Sequence, residues 1–357
     1  MSEAIRYFVP GPCYVLESTR RAMLGPVVGH RSPEFRPVYA RITERLRSVF
    51  RTERDAYLAT SSSTLLMEAA LVSLTGGAVL HLVNGAFSER WRDIARSLGR
   101  EADEIAVPWG EGVDPELLRA ALRRKRYDAV TMAHNETSTG VLQPVDSLAR
   151  VVREESEALV LVDAVSSLAG ARLETDAWDL DFVFAGSQKG LAAPPGLALF
   201  TFSERAERRA GSIPHRGYYG DLLRYRDKHR EGGPITTAAV SIAYALDAQL
   251  ERIEREGLEA RWARHLALYG QTASWVEANG CSWASSGGVR SPTVSCLRPP
   301  AGIDAPLFVR GMKERGFTLG GGYGRFKDST FRIGHMGEVQ SNDLAALFAA
   351  MEEEIAA

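Results

Sequence analysis

The chain has 357 residues, of which 45% are hydrophobic, 8% aromatic and 25% charged, as in an ordinary globular protein with room for two domains. Its 43 basic and 45 acidic side chains leave a formal charge of −2, which argues against a nucleic-acid protein held by an overall positive field. No apolar run reaches the ~18 residues that would suggest a membrane span.

The N-terminal stretch from Met1 to Pro12 carries Glu3 and Arg6 and lacks the apolar core of a signal peptide. Only three cysteines are present, Cys13, Cys281 and Cys296, with no CxxC pair. No metal centre is expected, and a reducing, cytoplasmic setting is. From residue 55 onward, short apolar runs alternate with longer periodic segments. Strands are expected at Asp55–Thr60, Ala78–Val83, Ala102–Val107, Asp128–Ala133, Ala158–Asp163, Asp181–Ala185 and Leu197–Phe202. Several are apolar along their whole length, as strands covered on both faces are. Between them, Phe87–Leu98 places Phe87, Trp91, Ile94, Ala95 and Leu98 on one helical face, and Pro115–Lys125 follows the N-cap residue Asp114. This alternation predicts an α/β fold with a mostly parallel central sheet flanked by helices.

The pattern changes after residue 203. Arg208–Gly233, rich in Arg, Tyr and Gly, reads as a long irregular functional loop. Long helices are expected at Ala238–Glu256 and Glu259–Asn279, the second with a stripe of Trp262, Leu266, Tyr269, Ala273 and Val276. Pro292–Leu297, Ala305–Arg315, Thr330–Ile333 and Ser341–Glu354 then read as strand, helix, strand, helix, a smaller C-terminal α+β domain. The expected division is an N-terminal segment 1–20, a large domain 21–256 and a small domain 257–357.

Asp163 and Lys189 carry the chemistry. Asp163 ends the run Leu159-Val160-Leu161-Val162, which places it at the carboxyl end of a buried strand, the edge where ligands of open α/β sheets bind. Lys189 follows the next apolar run, in Gly186-Ser187-Gln188-Lys189-Gly190, ahead of the stiff turn Ala193-Pro194-Pro195-Gly196. A lysine amine that can form a Schiff base, beside a carboxylate that can partner a pyridinium nitrogen, suits pyridoxal phosphate. Either residue alone reads better as a loop cap or a surface lysine; the pair favours the cofactor. Ser61-Ser62-Ser63-Thr64, between a strand and the helix-forming Leu65–Leu71, offers N–H groups and hydroxyls to a phosphate, although ordinary helix capping uses the same residues.

These motifs resemble those of the class V aminotransferases, fold type I pyridoxal-phosphate enzymes, and most of all the alanine–glyoxylate and serine–pyruvate subgroup. The resemblance runs from Pro10-Gly11-Pro12 through Asn84-Gly85-Ala86-Phe87, His134–Val141 and Val162–Ser167 to Phe331-Arg332-Ile333-Gly334. Its most specific part is Gly186-Ser187-Gln188-Lys189 with Ala193–Gly196. It implies that Lys189 bonds to the cofactor aldehyde and then moves the substrate's α-proton, and that Asp163 binds the ring nitrogen. It assigns Ser62, Ser63 and Thr64 to the phosphate with Gln188 nearby, Phe87 to the ring face, Thr137 to the ring's 3-oxygen and Arg332 to the substrate carboxylate. From pattern alone, Phe87 reads equally as a core residue, Thr137 as turn chemistry and Arg332 as an edge-strand arginine facing solvent.

The resemblance also implies a homodimer in which Thr237, or its neighbour Thr236, completes the partner's phosphate site. Two departures stand out: the phosphate turn lacks the family's glycine near Ser63, and Pro234 or Ile235 replaces a tyrosine ahead of Thr237. The implied reaction moves the amino group of alanine or serine to glyoxylate or pyruvate by ping-pong kinetics. His30 and Arg31, in Gly29-His30-Arg31-Ser32-Pro33, point alternatively to phosphoserine or aspartate, or to dimer contacts alone. Gly320-Gly321-Gly322-Tyr323-Gly324 reads as a mobile loop or a plain turn near Arg332. A cysteine desulfurase of the same fold is the remaining enzyme reading, and Cys296 fits a core thiol better than a mobile nucleophile.

Overall fold

The computed structural model describes residues 4–357; Met1, Ser2 and Glu3, the start of the expected N-terminal segment, lie outside the described residues. The chain begins with β1 (Tyr7–Phe8), α1 (Glu17–Ala22) and α2 (Arg36–Phe50). An alternating region follows: β2 (Ala56–Thr60), α3 (Thr64–Leu74), β3 (Val79–Val83), α4 (Ala86–Ser97), β4 (Ala102–Ala106), α5 (Pro115–Arg124) and β5 (Ala129–Ala133). A small ribbon, β6 (Asn135–Glu136) with β7 (Val141–Leu142), precedes α6 (Val145–Glu155), β8 (Leu159–Asp163), β9 (Phe182–Gly186) and β10 (Leu197–Phe202). Helices α7 (Glu204–Ser212), α8 (Leu222–Arg230), α9 (Val240–Glu256) and α10 (Leu258–Ala278) come next. The C-terminal part holds β11 (Ser282–Trp283), β12 (Val294–Arg298), α11 (Ala305–Glu314), β13 (Thr318–Gly321), β14 (Phe331–Gly334) and α12 (Ser341–Ala356).

The central sheet has seven strands in the order β2-β10-β9-β8-β5-β3-β4, and β10 alone runs antiparallel to its neighbours. All seven lie within a residue of the expected limits. Their apolar runs are explained by burial on both faces. In β8, Val160 and Val162 enter the core beneath α2, α6 and α9, while Leu159 and Leu161 enter the core beneath α3, α4, α7 and α8. Asp114 caps α5 as expected, accepting from the Glu116 N–H at 2.9 Å. A second, five-stranded sheet, β1-β13-β14-β12-β11, packs on α10, α11 and α12 around Phe308, Phe331, Leu344 and Leu347.

Three expectations are corrected. The segment 208–233 is not one irregular loop, because α7 and α8 occupy most of it. Each buries only two residues, Ala206 with Ala210 and Leu222 with Tyr225, too few to produce an apolar period. Their caps, Ser203 and Asp221, were the legible signal. The buried face of α10 is Arg261, His265, Leu268, Thr272, Trp275 and Val276, one position ahead of the expected stripe, and Leu266 is 61% exposed. Polar side chains with internal hydrogen bonds fill that face, and a count of apolar residues misses them. Gly320 and Gly321 form a strand, pairing with Arg332 and Phe331. A Cβ on Gly320 would lie 2.6 Å from the Pro10 ring, so close approach of the N-terminal segment requires glycine in a strand that glycine usually weakens.

Candidate active site

Asp163 is the last residue of β8, in register with Ala133 of β5 and Phe184 of β9. Its side chain is buried, and Oδ1 accepts from the Val165 N–H at 2.8 Å. Burial dominates its electrostatics and pushes its pKa up to about 7, with the Glu136 charge adding to the rise and Lys189 opposing it. Lys189 lies in the turn that leaves the adjacent strand β9. Burial, with the Arg332 charge adding to the fall, lowers its pKa to about 8. Its Nζ donates to the Pro10 carbonyl at 2.7 Å. The turn is fastened by the Cys13 N–H on the Gln188 carbonyl and the Cys13 thiol on the Lys189 carbonyl, both at 2.9 Å. Gly11, at φ +134°, admits the lysine alongside, where a Cβ would sit 2.4 Å from Nζ.

A pocket of about 200 Å³ is lined by Asp163, Lys189, Ser62, Ser63, Thr64, Phe87, Thr137 and Gln188. Ser63 stands at the N-cap of α3 yet makes no capping hydrogen bond, and its buried Oγ has no partner. That is not ordinary capping. Close approach at this point comes from the facing strand, because a Cβ on Gly186 would lie 2.4 Å from Ser63 Oγ and 2.5 Å from Gln188 Oε1. Phe87 is half-buried and faces the pocket instead of the core. The buried Glu136 carboxylate fixes it, accepting from the N–H groups of Phe87 and Ser88 at 3.1 and 3.0 Å. Thr137 Oγ1 meets Ser166 Oγ at 2.5 Å. The half-buried Arg332 side chain donates to the Thr137 carbonyl at 3.1 Å and the Gly321 carbonyl at 2.9 Å, which places its guanidinium beside the pocket wall.

Four expected residues do not line this chain's own pocket: Arg332, which reaches its edge through the Thr137 carbonyl, and Arg31, Thr237 and His30. Arg31 and Thr237 are exposed, and His30 is half-buried in the turn that precedes α2. Conversely, Asn135 and Arg90 line the pocket and were missed by sequence reasoning. Asn135 donates to the Ser166 carbonyl at 3.2 Å and Thr293 Oγ1 at 3.1 Å, and its buried Oδ1 is unpartnered. Its legible signal was its place just past β5, the strand beside Asp163.

A doubly covered parallel sheet presenting an acid and a lysine at the carboxyl ends of adjacent strands defines a fold type I pyridoxal-phosphate enzyme. The class-V aminotransferase family matches residues 20–285. An uncharacterized aminotransferase of Methanocaldococcus jannaschii is 37% identical, over 96% of this chain and 91% of that protein. The L-aspartate–glyoxylate aminotransferase of Paracoccus denitrificans is 32% identical, over 93% of this chain and 86% of its own length. The crystal structure of an alanine–glyoxylate aminotransferase from Nostoc superposes with a TM-score of 0.92 at 31% identity, covering 99% of this chain and 96% of that one. The chain belongs to the class-V aminotransferases, and it is a transaminase whose cofactor is pyridoxal phosphate.

The residues present fit that cofactor. Its aldehyde, protonated ring nitrogen and phosphate would find, respectively, an amine, a desolvated carboxylate and a helix N-terminus with an unpartnered hydroxyl. Among the described residues no group of side chains could hold a metal ion, and no helix is long and apolar enough to cross a membrane.

Proposed function

We propose that the chain moves the amino group of alanine or serine to glyoxylate or pyruvate, with Lys189 and Asp163 as its catalytic pair. The observation that carries this reading is the shared pocket of Lys189 and Asp163, with Arg332 directed to it by Thr137. When bound, pyridoxal phosphate supplies the electron sink that makes the α-proton acidic. Arg332 orients the substrate through its carboxylate, which a guanidinium grips with two parallel hydrogen bonds. Lys189 Nζ, its basicity reduced by burial, takes the α-proton near neutral pH and returns it. Asp163 holds positive charge at the far end of the pocket. Ser62, Ser63, Thr64 and Gln188 hold the phosphate, Phe87 covers the ring and Thr137 contacts its oxygen. Because donor and acceptor use one pocket in turn, the kinetics are ping-pong.

The exposed Thr237 and Arg31 belong, in this reading, to the partner's site in a homodimer, with Thr237 on the phosphate. Residues 21–256 form the cofactor-binding domain and 257–357 the smaller one. Alanine–glyoxylate and aspartate–glyoxylate enzymes among the relatives support glyoxylate as acceptor. Phosphoserine or aspartate as donor stands second, because their distal anion needs His30 and Arg31 from outside the pocket. Desulfurase chemistry fits poorly, since Cys13, Cys281 and Cys296 are all buried.

The test is a panel of single amino acids mixed with the holoenzyme, followed by conversion of its absorbance band. Alanine and serine should convert fastest, and Lys189→Ala should abolish the band of the lysine-bound cofactor. Preference for phosphoserine that Arg31→Ala removes would replace this reading with the second one.

A further inference from the structure

One aromatic side chain outside the pocket touches both its aromatic wall and the candidate carboxylate site. Beyond β13 the chain passes Gly322 and reaches Tyr323, whose ring stacks on Phe87 with centroids 5.5 Å apart and planes 17° from parallel. The Arg332 guanidinium lies 5.4 Å from the centre of the same ring. Arg90 donates to the Tyr323 hydroxyl at 3.3 Å while its own guanidinium lies 4.8 Å over Phe87. Tyr323 therefore sits among the group assigned to the substrate carboxylate, the aromatic wall of the pocket and a second cation.

The loop around it is pinned. Arg325 pairs with Glu89 at 2.6 Å, and Phe326 meets Trp109 edge-on at 5.5 Å. A Cβ on Gly322 would lie 2.1 Å from the Phe326 carbonyl oxygen, and one on Gly324 would lie 2.5 Å from the Trp109 ring. The position of Tyr323 is built by its neighbours, although the residue is 38% exposed.

We propose that Tyr323 is a specificity-determining residue that limits the donor to a small side chain. The inference rests on Arg332 as the carboxylate site. A substrate held there by its carboxylate has the Tyr323 ring as the roof over the space beyond its α-carbon. A methyl or hydroxymethyl group fits beneath that roof, and a branched or aromatic side chain collides with it. The hydrogen bond from Arg90 and the stack on Phe87 keep the ring from swinging away.

The experiment measures kcat/KM of the holoenzyme for L-alanine, L-leucine and L-phenylalanine with glyoxylate as acceptor. Discrimination by an apolar wall is worth about 10- to 200-fold per methylene. Tyr323→Ala and Tyr323→Gln should each raise the leucine-to-alanine ratio of kcat/KM at least about tenfold, mainly through a lower KM for leucine. Tyr323→Phe, which keeps the ring, should hold the wild-type ratio. Thermal melts of the variants show whether the fold is kept, and the two enlarging variants check each other. An unchanged ratio in both, or wild-type enzyme that accepts leucine as well as alanine, overturns the proposal and leaves the transaminase reading intact. Wild-type enzyme that converts none of the small amino acids overturns the proposed donor class along with it.

Discussion

Asp163 and Lys189 are displaced by one cause, desolvation, which opposes the charged form of each. In the cofactor-free chain the consequences for stability are opposite in sign. Folded Asp163 keeps its proton up to about pH 7 while the unfolded residue loses it near 3.8, so stability falls between those values. Folded Lys189 gives up its proton near pH 8 and the unfolded residue near 10.5, so stability rises over that range. From these two groups, cofactor-free protein should be least stable at pH 7–8. Asp163→Asn should remove the acid-side fall, a gain of up to about 4 kcal/mol at pH 8 in urea titrations. Ser63 gives a second contrast. Its Oγ has no partner, so Ser63→Ala should leave the melting temperature of cofactor-free protein unchanged or slightly higher. The same substitution should weaken cofactor retention several-fold, read by equilibrium dialysis.

Helix α4 illustrates how a single carboxylate positions an element. Glu136, fully buried, accepts from the N–H groups of Phe87, Ser88 and Ser138 and from the hydroxyls of Ser88 and Ser138. It fills the positive end of the helix that carries Phe87 and Arg90. Glu136→Ala should strand those donors and cost about 3 kcal/mol or more in urea unfolding, because charge-assisted bonds are worth ~1.5–3 kcal/mol each and lost partners stay buried. Cofactor retention should fall with it. Helix α10 teaches the converse lesson. Its spacing was legible, but its face was not, because Arg261, His265 and Thr272 point inward, where Arg261 pairs with Glu338 and the other two bond carbonyls of their own helix.

Across the whole molecule, a buried ionic junction ties the two sheets to the Lys189 turn. Arg261, fully buried, pairs with Glu338 at 2.9 Å and Glu256 at 2.7 Å and donates to the Gly190 carbonyl at 2.9 Å. Glu338 follows β14, the strand that carries Arg332, and also meets Gln249 and Arg252 of α9 at 2.6 and 2.5 Å. The surrounding arginines hold Glu338 down to about 2 against the opposing effect of burial. Its contribution is present above the ordinary value of 4.5 and is lost as pH falls toward 2, so this junction adds to the loss of stability in acid. Arg261→Ala should cost about 3 kcal/mol, since it takes one of two arginine partners from a buried carboxylate and leaves the Gly190 carbonyl without its donor. It should also flatten the acid limb of the pH–stability curve, which thermal melts at pH 3–7 would show.

The sequence by itself determined the central sheet, because strands covered on both faces must be apolar throughout and therefore announce themselves. It also determined the acid and the amine at the strand ends, where chemistry interrupts an apolar run. Tertiary structure alone decided which polar residues turn inward, as Arg261 and Asn135 do, since their burial depends on partners far along the chain. It also decided that Tyr323 stacks on Phe87 and that glycine continues a strand at Gly320 and Gly321, both set by contacts with distant segments. Local patterns record what a residue does to its own element; they carry no record of what a distant segment brings to it.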